Sequence, residues 1–267
     1  MAAERQLRKA EALAELHRGE PFLIPNPWDA GSARVFESLG FKALATTSSG
    51  FAFTLGRLDG EATLDEVVAH TAAVDEATGL PVSVDIENGY GPDPEHAADA
   101  VRRVAAAGAV GGSIEDYDPE RGLYEPAHAV ERVAAAVAAA RSLGFPFQLV
   151  ARAENHIRGN PDLDDTIARL QAFEAAGADV LYAPGLRTTD EIAAVCGAVS
   201  RPVNVLAVPG LSVEEIFAAG AQRISVGGSL AWVAVRAAAD AAAAILESGD
   251  LSPLAARVPL ADWFAQR

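Results

Sequence analysis

The sequence predicts the α/β class, as a (β/α)8 TIM barrel with an extra N-terminal helix and a C-terminal helical extension. Three observations predict it: eight short apolar runs at regular intervals, helical apolar spacing between them, and glycines that close the helical segments just before the next run. The runs are FLIPNP (22–27), ALATTS (43–48), PVSVDIE (81–87), VGGSIE (110–115), FQLVARAE (147–154), DVLYAP (179–184), PVNVLAV (202–208) and RISVGG (223–228). Eight such units fit a barrel of about 250 residues, so the 267 residues are read as one domain, 1–267, without a linker.

The opening stretch MAAERQLRKAEALAELHRGE reads as a charged amphipathic helix rather than a signal peptide. Helix ends fall at Gly40, Gly108, Gly144, Gly177 and Gly220, where a left-handed residue costs least without a Cβ. Capping-box spacing marks helix starts at Thr63 with Glu66, Thr188 with Glu191 and Ser212 with Glu215, and Asp93-Pro94 supplies a cap followed by a first-turn proline. The tail beyond about residue 250 is an addition, and its aromatic end ADWFAQR packs on a partner subunit or on its own barrel.

With 50% hydrophobic and 22% charged residues, the chain can bury a large core and shows no signature of disorder. No window approaches the roughly 18–20 consecutive apolar residues of a membrane span, so a cytoplasmic location with no membrane partner is expected. A formal net charge of −16 repels nucleic acid and anionic lipid. The single cysteine, Cys196, excludes an intrachain disulfide framework and a thiolate metal cluster, and reads as a buried side chain. Lysine occurs at positions 9 and 42 alone, neither placed for Schiff-base chemistry.

In such a barrel, chemistry collects where loops leave the C-terminal ends of the strands. Three runs there carry apolar strands straight into ionisable groups. Asp85 and Glu87 are two apart and, by strand alternation, face one way roughly 6.5–7 Å apart. Glu115 and Asp116 end the next strand. These acids suit Mg2+, or Mn2+, which keeps waters and uses few protein ligands. The alternative is that each acid caps a helix or pairs with an arginine. Arg152 shares a face with Glu154 and either neutralises the acids or forks onto a substrate carboxylate or phosphonate. His156 follows as a candidate for proton transfer. Ser48, Ser49 and Gly50, after the second strand, are placed to offer hydroxyl and N–H donors to an oxyanion. Asp59, in the glycine-bearing loop LGRLDGEAT, either closes over substrate or caps the next helix. Asn204, in the seventh run, is a further substrate-binding candidate.

Together, PNPWDAGSARVFESLGFKALATTSSG, DIENGYG, IEDYD and ARAENHIRGNPDLDDTIARLQAFEAAGADVLYAPG resemble the isocitrate lyase and phosphoenolpyruvate mutase superfamily over nearly the whole chain. The resemblance implies Mg2+ and a 2-oxo acid held by Asp85, Glu87, Glu115 and Arg152, an oxyanion pocket at Ser49 and Gly50, and a mobile-loop role for Asp59. It also implies a homotetramer, or a dimer, with a C-terminal helix exchanged between barrels. Two departures narrow the activity. Asp85-Ile86-Glu87 replaces the family's Asp-x-Asp. The loop EDYDPERGLYEP lacks the cysteine and histidine of isocitrate and methylisocitrate lyases, and Tyr117 stands where mutases and phosphonopyruvate hydrolases carry lysine.

The resulting expectation is a Mg2+-dependent lyase. It would cleave a C–C bond beside the 2-oxo or 2-hydroxy group of a small anionic carboxylic acid, oxaloacetate- or methylisocitrate-like, through a metal-stabilised enolate. Asp59, Tyr117, His156 or a metal-bound water are the alternatives for the proton carrier. Competing expectations are C–P bond chemistry, a non-catalytic 2-oxo acid binding barrel, and a phosphate-binding isomerase using SVGGSL at 225–230.

Overall fold

A computed structural model describes residues 2–265. The strands are β1 (Phe22–Ile24), β2 (Leu44–Ala45), β3 (Val82–Asp85), β4 (Gly111–Glu115), a hairpin of β5 (Tyr117–Asp118) and β6 (Gly122–Leu123), then β7 (Gln148–Arg152), β8 (Val180–Tyr182), β9 (Val203–Leu206) and β10 (Arg223–Ser225). All except the hairpin join one parallel sheet in the order β1-β10-β9-β8-β7-β4-β3-β2. The seam between β1 and β2 is bridged by Ala45 N–H donating to the Pro25 carbonyl at 3.1 Å and Asn26 Nδ2 donating to the Thr46 carbonyl at 3.0 Å. The eight predicted runs therefore build a nearly closed (β/α)8 barrel.

The helices are α1 (Ala2–Leu16), α2 (Ala30–Ser38), α3 (Ser48–Thr54), α4 (Leu64–Ala77), α5 (Pro94–Ala106), α6 (Pro126–Arg141), α7 (Leu163–Ala175), α8 (Thr189–Ala198), α9 (Val213–Ala218), α10 (Ser229–Ser248) and α11 (Leu260–Ala265). The three predicted Thr/Ser–Glu capping boxes are formed, and Pro94 opens α5. Each of the five helix-ending glycines has positive φ. Outward-facing strand residues such as Val84, Ile114 and Leu181 pack with Val101, Val104, Val133 and Phe173 of the surrounding helices. Helix α1 lies beneath the barrel, burying Ala10 and Leu13 against Phe22, Ile24 and Val110. Lys9 ties it there, its buried ammonium donating to Asp75 Oδ1 at 2.6 Å and to the Thr78 carbonyl at 2.9 Å.

Strand alternation turns the other side chains inward, and many of these are polar: Ser83, Asp85, Ser113, Arg152, Asn204, Arg223 and Ser225 line an internal cavity. Barrel interiors are usually filled by branched aliphatic side chains. This polar lining positions the candidate site.

Three features differ from expectation. The Ser-Ser-Gly segment is the first turn of a seven-residue helix, α3, because the Thr47 side chain caps it by accepting from Gly50 N–H. The loop after β4 folds back as the β5–β6 hairpin. Helix α10 corrects the reading that no segment is long and apolar enough to cross a membrane. Its 20 residues reach a mean hydropathy of 1.5 in an 18-residue window that is only 6% buried. Alanine supplies that hydropathy without large side chains, and the 2.8 Å Arg236–Asp240 ion pair divides the helix. A charge pair at that depth is costly in hydrocarbon.

Candidate active site

A cavity of about 210 Å3 opens among the loops at the C-terminal ends of the strands. Of the residues predicted to act, Ser48, Ser49, Asp59, Asp85, Arg152 and Asn204 line it. Gly50, Glu87, Glu115, Tyr117 and His156 stand outside that lining, each for a local reason.

Arg152 ends β7 and is held in a cage of carboxylates. Its Nη1 donates to Asp85 Oδ1 at 3.0 Å, its Nε and Nη2 donate to Glu154 Oε1 at 3.0 and 2.8 Å, and Nη2 lies 2.9 Å from Glu115 Oε2. The guanidinium also packs 5.4 Å from the centre of the Tyr182 ring. Arginine has five N–H donors, and these contacts occupy all but one, on Nη1. Of the two readings of Arg152, this arrangement displays the neutralising one, and it leaves a ligand a single N–H.

The reading that Asp85 and Glu87 share a strand face is corrected. β3 ends at Asp85, and Glu87 adopts a left-handed backbone with φ 46, so alternation no longer governs it. The turn that follows requires Gly89, at φ 79, where a Cβ would fall 2.9 Å from Ala97 Cα. Glu87 Oε1 accepts from the Tyr90 hydroxyl at 3.0 Å. Burial, with Asp85 and Asp59 nearby, pushes its carboxyl up to about 7. Asp59 is likewise raised, by burial and by Asp85, although the Ser48 hydroxyl bonds to it. Asp85 Oδ1 serves Arg152, while Oδ2 accepts a long 3.3 Å bond from Ser48 N–H.

Glu115 sits between two guanidiniums, Arg152 and Arg158, the latter 3.5 Å from its Oε1. Burial, with Glu154 and Asp85 crowding it, still lifts its carboxyl well above the usual range. Asp116 is structural: it accepts from Glu154 N–H at 2.8 Å and pairs with Arg169 at 2.9 Å. Tyr117 lies in the hairpin with the Arg158 guanidinium 3.9 Å above its ring. The His156 side chain, 7% exposed, has Nε2 3.9 Å from Glu191 Oε1. Gly50 is buried, its N–H spent on the Thr47 cap.

Among the described residues no three carboxylate, histidine or cysteine side chains gather as a closed metal cage, so Asp85, Glu87 and Glu115 do not converge as expected. Five carboxylates, those of Asp59, Asp85, Glu87, Glu115 and Glu154, nevertheless face two guanidiniums, Arg152 and Arg158. That excess fits a hard dication held through one carboxylate and retained waters. It does not fit a fully dehydrated ion.

Sequence reasoning passed over Tyr182, Ser113 and Arg223, which also line the cavity. They sit on strands at inward positions, and their signal was polarity at alternate sites inside apolar runs. Burial pushes the Tyr182 phenol up to about 12, so it stays protonated.

The family model of phosphoenolpyruvate phosphomutase matches residues 13–246. The chain belongs to this family, within the phosphoenolpyruvate mutase and isocitrate lyase superfamily. An uncharacterised Mycobacterium tuberculosis protein is 36% identical, covering 88% of both chains. An oxaloacetate decarboxylase of Bradyrhizobium is 31% identical over 75% of this chain and 72% of its own. Among solved structures, a Burkholderia cenocepacia protein assigned only as a lyase or mutase superposes with a TM-score of 0.95 at 50% identity over 98% of both chains. Oxaloacetate acetylhydrolase bound to its product oxalate superposes with a TM-score of 0.87 at 26% identity, over 96% of this chain and 94% of its own. Superfamily members are thus lyases, hydrolases and mutases of small acids.

Proposed function

We propose that this chain is a Mg2+-dependent lyase that breaks a C–C bond next to the 2-oxo or 2-hydroxy group of a small, oxaloacetate-like carboxylic acid. One observation carries the reading: around the mouth of a small polar cavity five carboxylates face two guanidiniums, so that an anionic substrate needs a bound cation to enter. Asp85 would hold that ion directly, with Asp59, Glu87 and Glu115 reaching it through water. When bound, Mg2+ supplies Lewis-acid charge where negative charge develops on the 2-oxo oxygen.

The remaining work falls to side chains. Arg152 gives its free Nη1 proton to the substrate carboxylate while its other donors keep Asp85, Glu115 and Glu154 in place. Ser48 and Ser49 face the same space and donate to substrate oxygens. Asp59, raised by burial, is the acid best placed to hold a proton at the cavity wall. Ile157, Pro184 and Leu206 form apolar walls that limit water near the reacting carbon.

The test is a panel of 2-oxo and 2-hydroxy acids including oxaloacetate, 2-methylisocitrate and 2,3-dimethylmalate, assayed for carbonyl products with Mg2+ and with EDTA. Turnover of one of them, lost with EDTA and in Asp85→Ala, is expected. Conversion of phosphonopyruvate alone, followed by phosphorus NMR, would replace the reading with C–P chemistry. For assembly, we propose that the exposed apolar face of α10 packs on a second copy in a homotetramer or dimer. Sedimentation at monomer mass would refute that.

A further inference from the structure

The cavity has a second guanidinium that the lyase reading does not use. Arg223 opens β10, at the end of the barrel closed by α1, and is 3% exposed. It nevertheless lines the same cavity as Arg152. Its neighbours are neutral. Nε donates to Asn204 Oδ1 at 2.7 Å, and Nη1 lies 3.3 Å from His17 Nε2. His17 Nδ1 lies 2.8 Å from the Leu13 carbonyl and must donate to it, which leaves Nε2 as an acceptor for Arg223. Burial and the adjacent Arg223 hold His17 down to about 3, so it stays neutral and brings no charge of its own.

Two of five N–H donors are thereby engaged, and the other three have no acceptor among the described residues. No carboxylate lies within ion-pair distance of Arg223 among those residues, whereas Arg152, Arg158 and Arg169 each have two or more. The equally buried Arg132 also lacks an acid in ion-pair range, but carbonyls of Asn88, Gly91 and Asp93 cover it. A buried cation with neither an anion nor a full set of acceptors is disfavoured unless water or a ligand in the cavity completes it, and an anion completes it better than water. Burial already draws Arg223 down to about 10, still cationic at neutral pH.

Register places the two arginines on one inward row: Arg152 pairs with Tyr182, Tyr182 with Asn204, and Asn204 with Arg223. Three strand spacings separate them, roughly 14 Å along the sheet. Because barrel strands tilt, the row descends from mouth to floor. The cavity of about 210 Å3 between them equals roughly seven water volumes, room for a small dicarboxylate.

We infer that Arg223 is a substrate-binding residue, forking onto the remote carboxylate of a dianionic 2-oxo or 2-hydroxy acid whose reacting end lies at the mouth near Asp85 and Arg152. The inference rests on the lyase reading for the orientation of the ligand. Selection between dicarboxylates and their monocarboxylate counterparts then occurs at the floor, since a site built to pair a carboxylate rejects an analogue that lacks it.

The experiment is calorimetric titration of the full chain, with Mg2+, using matched probes: 2-oxoglutarate against 2-oxovalerate, and 2-oxoadipate against 2-oxohexanoate. Within each pair the two differ by a terminal carboxylate in place of a methyl. Oxalate, too short to reach the floor, is the control. The expected result is roughly tenfold to a hundredfold tighter binding of at least one diacid than of its partner. Arg223→Gln should abolish that preference while leaving oxalate affinity unchanged, and Arg223→Lys should retain part of it. Equal binding within both pairs by the wild-type chain, or a preference that survives in folded Arg223→Gln, overturns the inference. If Arg223→Gln does not fold, the wild-type ratios and Arg223→Lys decide. Failure of oxalate to bind with Mg2+ strikes the lyase reading instead, so the two failures are distinguishable.

Discussion

The mouth and the floor of the barrel each hold a buried arginine, and the two are treated in opposite ways. Arg152 touches three carboxylates and keeps one N–H free, whereas Arg223 touches an amide and a neutral imidazole and keeps three. The mouth therefore has surplus negative charge and the floor surplus positive charge. An acid substrate complements such a cavity if a cation joins it at the mouth. The contrast teaches that an arginine's role depends on what its donors already hold.

The largest break in this comparison should come from Arg152→Met. Removing the guanidinium strands Asp85, Glu115 and Glu154 together, and stability should fall by about 3–5 kcal/mol in urea titrations. Turnover should fall by roughly a thousandfold or more in the same variant. A stable, active Arg152→Met protein would mean the acids are already protonated or solvated.

Asp116→Asn probes an acid beside the mouth whose partners are Arg169 and the Glu154 amide. It should cost about 1–3 kcal/mol of stability and leave the Mg2+ dependence of turnover unchanged. Altered metal dependence would move Asp116 into the site.

At the floor, pH provides the sharper tool. His17 is held down to about 3 in the folded chain, below its ordinary value of 6.5. Its contribution is therefore complete above about pH 6.5 and is lost as pH falls toward 3, at up to about 1.4 kcal/mol per pH unit. His17→Gln should flatten that acid limb in denaturation series between pH 6.5 and 4. An unchanged slope would show that His17 does not titrate with unfolding.

The smallest effect is expected from Glu87→Gln. It removes one member of the mutually repelling Asp59, Asp85 and Glu87 group, so the rise in Tm on adding Mg2+ should shrink by a degree or two, about 0.5 kcal/mol for a chain of this size. A larger Mg2+ response in the variant would contradict the placement of surplus charge on that side.

Most of the fold was legible because its signals are local. Apolar runs, helix-ending glycines and capping boxes depend on neighbours within a few residues, and all eight strands lie where those signals put them. At the site, Arg152 and Glu154 meet as alternation requires. Glu87 was misplaced because the left-handed turn at Glu87 to Tyr90 removes the alternation on which its reading relied. Gly50 was misread because Thr47 uses its amide as a helix cap. Arg223 escaped notice for a different reason. It sits at the start of an apolar strand, and what distinguishes it is that its partners, Asn204 on the neighbouring strand and His17 on α1, carry no charge, a property of the folded chain that a linear sequence does not display.

The central claim is tested most directly by oxalate titration of the wild-type and Asp85→Ala proteins with and without Mg2+. The account predicts tight oxalate binding by the wild-type chain that requires Mg2+ and disappears in a folded Asp85→Ala variant. Oxalate binding of equal strength without the metal, or undiminished in Asp85→Ala, would contradict it.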